Sequence, residues 1–243
     1  MRAEATPPLA QRTVAVIGGS SGIGEQIAHQ ARSLGADVAV TGRDQGRLAK
    51  AAQRIGARRA VPLDAHDDDA VGAFFAELGP VDHLVSMVGD SMAGGFLTTP
   101  PAIMRHTLDS KFWANWTIAR HAAPTLTPGG SITFTAGTGG RPHDISGSYV
   151  ANLALGALVE GMAVELAPDV RVNAVAPTFM DTAFWKDMPR PDLEATKSQV
   201  ITRVPLARLG TVVEVASAYL HLMTNGFITG QVLAVDGGVM LQA

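Results

Sequence analysis

The chain of 243 residues contains no cysteine, and only 17% of its residues are charged. The absence of cysteine excludes disulfide frameworks, thiolate metal sites and cysteine nucleophiles. The 19 basic and 22 acidic residues give a net charge of −3, so we expect neither a nucleic-acid partner nor an anionic-membrane surface. The sequence has no His-Glu-x-x-His run and no carboxylate cluster with ligand spacing, so no metal site is predicted.

The chain also lacks the patterns typical of secretion or membrane insertion. Residues 1–10 have no apolar run and include Pro7 and Pro8, which predicts a short disordered tail. The most apolar later segment, 149–167, is interrupted by polar side chains, which a spanning helix does not favour. We therefore expect a soluble, cytoplasmic protein in which residues 11–243 form a single domain.

Short apolar runs alternate with longer segments of helical periodicity. Runs rich in valine, isoleucine and alanine predict strands at residues 13–17, 37–41, 59–62, 82–86, 131–135, 171–175 and 231–235. Helical spacing predicts helices at 22–34, 67–78, 101–126, 148–166 and 212–224, with one more ending at 55. Nearly continuous apolar strands are typical of a parallel sheet that helices cover on both faces. The predicted fold is α/β, a doubly wound, Rossmann-type sheet of seven parallel strands.

Residues 178–204 break this alternation. The segment shows no clear period and contains Pro189 and Pro191. A long connection without a period is usually a functional lid or a disordered segment, and Phe179, Phe184 and Trp185 supply apolar surface. The segment is predicted to be a substrate lid, with a surface helical hairpin on the sheet edge as the alternative.

A glycine-rich loop joins the first predicted strand to the first predicted helix. Its glycines permit a tight turn, close approach of a diphosphate and close packing of helix on strand. The helix N-terminus then presents unpaired N–H groups to the anion. Residues 11–243 are therefore predicted to be a dinucleotide-binding catalytic domain. The expected contacts in the loop are Gly18, Ser20, Ser21, Gly22, Ile23 and Gly24.

The end of the second predicted strand distinguishes the two nicotinamide cofactors. An NAD site places a carboxylate there to bind the ribose 2′-hydroxyl, but this sequence has Gly42 and then Arg43. An arginine binds a 2′-phosphate through two parallel charge-assisted hydrogen bonds. NADP is therefore the predicted cofactor, and Asp44, the next residue, leaves NAD as the alternative.

With these features in place, the chain resembles the short-chain dehydrogenase/reductase family from about residue 13 to residue 238. The resemblance implies hydride transfer by a homo-tetramer or homo-dimer, with helices near Lys111 and Asn152 packed across a twofold axis. Beyond the glycine loop, it rests on Leu63-Asp64, Arg171-Val172-Asn173-Ala174-Val175-Ala176-Pro177, Arg208-Leu209-Gly210, Ile228-Thr229-Gly230-Gln231 and Val235-Asp236-Gly237-Gly238.

The resemblance also implies further cofactor contacts. Asp64 is expected at the adenine and Gly89 at the adenosine ribose, while the segment from Pro177 to Thr182 borders the nicotinamide. The further cofactor positions are Asp64, Ala65, Val88, Gly89, Asn152, Pro177, Met180 and Thr182.

The positions that the family uses for catalysis carry other residues. Members of the family typically use an asparagine, a serine, a tyrosine and a lysine. The tyrosine transfers the proton, and the lysine lowers the pKa of that tyrosine and holds the nicotinamide ribose. The corresponding positions are occupied by Lys111, by Ala136 or Gly137, by Ser148 and by Asn152.

Three side chains are candidates for the missing proton donor. Tyr149 is the first choice, although it lies one residue, or roughly 100° of helix rotation, from the expected position. Lys111 would bring an ammonium from the adjacent helix, and His143 would exchange protons from a neighbouring loop. Ser148 and Asn152 remain catalytic candidates because they occupy family positions.

Two functions stay open at this point. The first is an NADP(H)-dependent oxidoreductase that transfers hydride between the nicotinamide and a carbonyl or alcohol of a small apolar substrate. The second is a protein that keeps the nucleotide site without redox activity, either as a ligand-binding or regulatory module or as an isomerase, cyclase or dehydratase. The well-formed glycine loop favours the first.

Overall fold

Seven parallel strands form one sheet in the computed structural model, which describes residues 6–242. The sheet order is β3-β2-β1-β4-β5-β6-β7, and this order confirms the predicted doubly wound topology. The strands are β1 (Thr13–Ile17), β2 (Asp37–Gly42), β3 (Arg59–Pro62), β4 (Val81–Ser86), β5 (Leu126–Thr135), β6 (Val170–Pro177) and β7 (Val232–Val235).

Helices cover both faces of the sheet because each strand presents apolar side chains to both sides. Helices α1, α2 and α8 pack on one face, and α3, α5 and α6 pack on the other. The helices are α1 (Gly22–Ser33), α2 (Gln45–Ile55), α3 (Asp68–Leu78), α4 (Pro101–Leu108), α5 (Ala114–Ala122), α6 (Ser146–Glu165), α7 (Arg190–Arg203) and α8 (Val212–Thr224).

The chain order reverses between β1 and β4 at the centre of the sheet. The chain continues from β1 to β2 on one side and from β4 to β5 on the other. Ile17 pairs with Ser86 at the carboxyl ends of these two strands. Doubly wound sheets bind ligands in the crevice at such a reversal, so the site is expected above this pair.

The single helix predicted at 101–126 is wrong, because the structure divides this segment into shorter elements. Helix α4 ends at Leu108, a π-helical turn spans Asp109–Trp113, and α5 ends at Ala122, while Leu126 already belongs to β5. A π-helical turn widens the helix locally, and such turns occur often at functional sites. The apolar period alone did not reveal this interruption.

Two other predicted segments differ from the structure. Leu9 is only 1% exposed, and its N–H donates to the Leu34 carbonyl at 3.0 Å. The predicted disordered tail 1–10 is therefore ordered at Leu9, which packs into the core. Residues 1–5 of that tail lie outside the described residues. The segment 178–204 contains the helix α7, which has no buried residue and therefore no apolar period to detect.

Helix α6 is the longest helix of the described residues. Its length and apolar composition alone would allow it to cross a membrane. Its buried side chains Leu155, Val159 and Ala163, however, pack into the core between the sheet and the helices of that face. The helix is therefore a core helix, and its N-terminal end borders the carboxyl edge of the sheet.

His83 on β4 is a buried titratable group away from this edge. Its Nδ1 lies 2.9 Å from the Ser131 hydroxyl, and burial lowers the pKa of His83 to about 4, although the Asp82 charge opposes the shift. Protons therefore bind the unfolded chain more tightly than the folded one between pH 6.5 and about 4. The free energy of unfolding must fall as the pH drops through this window.

We predict that His83→Asn flattens this acid dependence. The depressed pKa corresponds to about 3 kcal/mol of unfolding free energy lost by the wild type on acidification, a loss that asparagine cannot show. Urea unfolding of both proteins at several pH values between 7 and 4 measures the difference. Equal pH slopes for both proteins would contradict the buried neutral histidine.

Candidate functional site

The glycine loop after β1 has the geometry of an anion cradle. Gly18 and Gly22 have φ angles of +88° and +58°, which L side chains rarely adopt, and a β-carbon on Gly24 would clash with the Gly18 carbonyl oxygen. Ser21 caps α1 without a side-chain hydrogen bond, so the first N–H groups of the helix stay available. A diphosphate fits these residues because it accepts such N–H bonds.

The end of β2 lies beside this loop. A β-carbon on Gly42 would lie 2.7 Å from the Ser20 hydroxyl, and the next residue, Arg43, is exposed. Asp44 accepts the Arg47 N–H at 2.8 Å, and this bond lowers the pKa of Asp44. Asp44 therefore caps α2, and Arg43 is the charged residue left to meet a ribose 2′-substituent.

The loop after β3 carries the expected adenine residue. Asp64 accepts the backbone N–H of His66 at 3.1 Å and lies 3.0 Å from its Nδ1, and these bonds lower the pKa of Asp64. Ala65 is buried between them. The sequence reasoning missed His66, although an aspartate two residues before a histidine is the spacing of such a local turn.

Lys111 occupies the π-helical turn and is the most unusual charged residue of the site. It is only 8% exposed, and its Nζ makes no hydrogen bond or ion pair with any residue of 6–242. Its side chain lies on Gly89, where a β-carbon would sit 3.2 Å from the lysine Cε. Burial lowers the pKa of Lys111 to about 8, while the charge of Asp90 opposes the shift.

Asn152 on α6 faces the same space. Its Nδ2 donates to the Gly137 carbonyl at 3.1 Å, and its Oδ1 is buried without a partner. A β-carbon on Gly137 would lie 3.5 Å from this Nδ2 and 3.9 Å from the Lys111 Nζ. A buried orphan acceptor beside an unpaired ammonium fits a group that both donates and accepts, such as a ribose hydroxyl.

Asn115 joins the elements that carry Lys111 and the expected cofactor contact Val88. Its Nδ2 donates to the Val88 carbonyl at 3.1 Å and to the Lys111 carbonyl at 2.5 Å. The fully buried amide therefore ties the loop after β4 to the π-helical turn. The sequence analysis did not single out Asn115. The one available signal was its position four residues after Lys111, on the same helix face.

The Ser148 hydroxyl is bonded to the backbone of Met92. The buried Oγ accepts the Met92 N–H at 2.8 Å and lies 3.5 Å from the Met92 carbonyl. The hydroxyl thus holds the 90–94 loop to the start of α6, and the catalytic role of Ser148 stays a prediction. Ala136, at the expected serine position, is buried in the apolar core cluster and has no hydroxyl.

Tyr149 and His143 are the two other proton-donor candidates. Tyr149 is half-buried, and its hydroxyl makes no hydrogen bond with residues 6–242. Helical geometry places it on the side of α6 that also carries Asn152 and Leu153, and Leu153 is exposed. His143 is exposed and lies 3.4 Å from Asp144, in the loop before α6. The structure brings Lys111 and Asn152 together, and the roles of Tyr149 and His143 stay predictions.

The other tyrosine of the chain, Tyr219, is structural. It is fully buried on α8, and its hydroxyl lies 2.7 Å from the Thr135 hydroxyl, which donates to the Ser86 carbonyl. Burial raises the pKa of Tyr219 although the Thr135 bond opposes the shift. These bonds turn the Thr135 side chain towards α8.

The segment after β6 closes on the glycine loop. A β-carbon on Gly22 would lie 3.4 Å from the Thr182 Cβ, so Thr182 is well placed beside a diphosphate. Met180 is different: its side chain is buried in the core and approaches Gly210. The Met180 side chain therefore packs in the core, and the cofactor contact of Met180 stays a prediction.

Comparison with known proteins identifies the class of this fold and site. A family model described as enoyl-(acyl carrier protein) reductase matches residues 17–240. The short-chain dehydrogenase/reductase fsr5 of Gibberella fujikuroi is 33% identical over 260 residues, covering 96% of each chain. The 3-oxoacyl-(acyl-carrier-protein) reductase of Homo sapiens is 32% identical over 241 residues, covering 95% of this chain and 98% of that one.

A solved structure agrees with these matches. A small-chain dehydrogenase crystallised in complex with NADPH superposes with a TM-score of 0.83 at 32% identity, covering 95% of this chain and 99% of that one. The chain therefore belongs to the short-chain dehydrogenase/reductase family of oxidoreductases.

We predict that Ser148→Ala destabilises the fold. Removing the hydroxyl leaves the buried Met92 N–H unpaired, which costs about 1 to 3 kcal/mol. Urea unfolding measures the loss against Ser217→Ala, whose exposed hydroxyl bonds only a carbonyl of its own helix. A stability change no larger than that of the Ser217 variant would contradict the structural role of Ser148.

Proposed function

We propose that this protein is an NADP(H)-dependent oxidoreductase in which Lys111 replaces the usual tyrosine as proton donor. The observation that carries the proposal is the nearly buried, unpaired ammonium beside the orphan Oδ1 of Asn152. Relative to the family positions, the asparagine and the lysine are exchanged between the two helices. The exchange keeps one amide and one ammonium in the same space.

The choice of NADP rests on the surroundings of Arg43. Its guanidinium is exposed at the end of β2, and Asp44 is occupied as a helix cap. The related structure with NADPH supports the same cofactor class. The guanidinium would hold the 2′-phosphate, the N–H groups of α1 the diphosphate, and Lys111 with Asn152 the nicotinamide ribose.

The chemistry of Lys111 suits proton transfer near neutral pH. A nicotinamide supplies the hydride when it is bound. The Lys111 ammonium then donates its proton to the carbonyl oxygen, and the remaining neutral amine is the form that burial favours. In the oxidative direction, the neutral amine accepts the proton of the alcohol. A free tyrosine, with a pKa of about 10, is further from this working range.

The rim of the site supports an apolar substrate. Phe96 and Leu97 are exposed on the loop that precedes α4, and Phe184 is exposed on the segment that closes on the glycine loop. Phe184 also packs against Trp185, whose Nε1 donates to the Met180 carbonyl at 3.0 Å. The proposed substrate is a small, largely apolar ketone or aldehyde, and segment 178–204 acts as its lid.

A homo-dimer or homo-tetramer is proposed on the apolar surface of the long helices. Trp113 on the π-helical turn, Trp116 on α5 and Leu153 on α6 are exposed large side chains. Burying such side chains against a second copy of the chain would stabilise the assembly.

The second candidate function is nucleotide binding without redox turnover. Ser148 favours it, because the hydroxyl at the position of the family's tyrosine is bonded to the Met92 backbone. NADPH oxidation against a panel of ketones and aldehydes distinguishes the two functions. Tight NADPH binding without turnover on any carbonyl would favour the second candidate.

Replacing Arg43 by alanine tests the cofactor proposal. Losing a paired, charge-assisted contact with the 2′-phosphate should weaken NADPH binding roughly 10- to 100-fold, with little effect on NADH. Fluorescence titration of both cofactors measures the ratio. Arg58→Ala is the matched control, because Arg58 pairs with Asp37 at the opposite end of β2. An equal loss of affinity for NADPH and NADH would contradict the proposed contact between Arg43 and the 2′-phosphate.

The pH dependence tests the proton donor. Because reduction needs the ammonium, its rate should fall as the pH rises through about 8, while the rate of oxidation should rise there. Lys111→Met should lower kcat by about 10²- to 10⁴-fold, and Tyr149→Phe should keep both the rate and the pH limb. A Tyr149→Phe enzyme without activity, or an active Lys111→Met enzyme, would contradict the proposal.

A further inference from the structure

A histidine–aspartate pair lies at the protein surface, next to the residue on which Lys111 packs. The His106 Nε2 is 3.0 Å from the Asp90 Oδ2, and the side chains of His106 and Asp90 are 61% and 37% exposed. Asp90 directly follows Gly89, the residue on which the Lys111 side chain lies. The pair therefore reaches from solvent to the neighbourhood of the buried ammonium.

Hydrogen bonds hold Asp90 against the segment that carries Lys111. The Asp90 N–H donates to the Ser110 hydroxyl at 3.2 Å, and this hydroxyl donates to the Thr107 carbonyl at 3.2 Å. Ser110 is buried and immediately precedes Lys111. His106 lies one helical turn before Ser110, so histidine, carboxylate and lysine are attached to one rigid unit.

A buried proton donor needs a route for its next proton. Lys111 exposes only 8% of its surface, and after each reduction it would remain as a neutral amine. We propose that His106 and Asp90 form a proton relay that returns a proton from solvent to Lys111. This inference rests on the proposed role of Lys111 as donor.

The relay is balanced in protons. Solvent protonates His106 at Nδ1, the Nε2 proton passes to the Asp90 carboxylate, and the carboxylate passes a proton to the Lys111 amine. Asp90 and Lys111 form no direct ion pair, so the last transfer runs through a bridging water. One proton enters, one ammonium is restored, and no electron moves. Proton exchange with solvent then returns the exposed imidazole of His106 to its starting tautomer. The oxidative direction runs the same path outwards.

The other charged groups that face the relay are few in the described residues. The His66 ring stacks on the His106 ring with centroids 6.4 Å apart, and His66 is itself bound to Asp64. A second His–Asp pair, His121 with Asp68 at 3.2 Å, belongs to α5 and α3 and serves as a matched control.

The first experiment tests the connection without any substrate. The Cε1 proton resonance of His106, assigned with His106→Gln, is followed by NMR between about pH 5 and about pH 10. A relay predicts an inflection near pH 8, where Lys111 titrates, and its loss in Lys111→Met and in Asp90→Asn. No inflection near pH 8, or one that survives in Lys111→Met, overturns the relay.

The second experiment tests the function with the carbonyl that the panel shows to be reduced fastest. In weak buffer, His106→Gln should lower steady-state kcat by about tenfold, while the first turnover, which uses the proton already on Lys111, keeps its rate. Added imidazole should restore kcat by carrying protons to the site. His121→Gln should behave like the wild type with and without imidazole.

The outcomes separate the relay from the proposed function. If Lys111→Met is inactive and His106→Gln keeps full kcat in weak buffer, the relay is wrong and the donor stands. If His106→Gln is slow but imidazole does not restore it, the role of His106 is structural and the relay is also wrong. If no carbonyl is reduced, or Lys111→Met is fully active, the proposed function fails and the relay fails with it.

Discussion

The constraint on which this site depends is the burial of one unpaired ammonium at the reversal point of the sheet. Placing a lysine in a site with 8% exposure, where no carboxylate of residues 6–242 pairs with it, costs free energy, and the lowered pKa of Lys111 expresses that cost. Residues with strongly shifted pKa values cluster at functional sites, so this burial points to a function for Lys111. The π-helical turn, Gly89 and the Asn115 amide all serve to hold the lysine there.

In the proposed function, some of the surrounding elements bind the cofactor and others carry the reaction. The glycine loop and the end of β2 form a binding surface for phosphate groups, whose positions follow from φ angles and a helix terminus rather than from charge. In the proposed function, the loop after β4, the π-helical turn and α6 form the reactive half. Ser148, which the resemblance aligns with the family's tyrosine, holds the Met92 loop to α6. Lys111 and Asn152 are the polar groups to which the proposal assigns the chemistry.

The doubly wound sheet of seven parallel strands and the glycine loop could be predicted from sequence, because apolar runs, helical periods and the glycine spacing are local patterns. The family resemblance also located Lys111, Ser148 and Asn152. Sequence could not reveal that Ser148 bonds Met92, since that contact joins residues 56 positions apart. Helix α7 was expected only under the alternative of a surface helical hairpin, because an exposed helix carries no apolar period. The burial of Lys111 depends on a break in a helix that periodicity predicts to be continuous.

A crystal structure of the protein with NADP⁺ tests the central claim most directly. The account predicts the diphosphate against Gly22 and the N–H groups of α1, and the Lys111 Nζ within hydrogen-bond distance of the nicotinamide ribose, with Asn152 Oδ1 accepting a ribose hydroxyl. A Lys111 side chain turned to solvent, with the Tyr149 hydroxyl at the ribose instead, would contradict it.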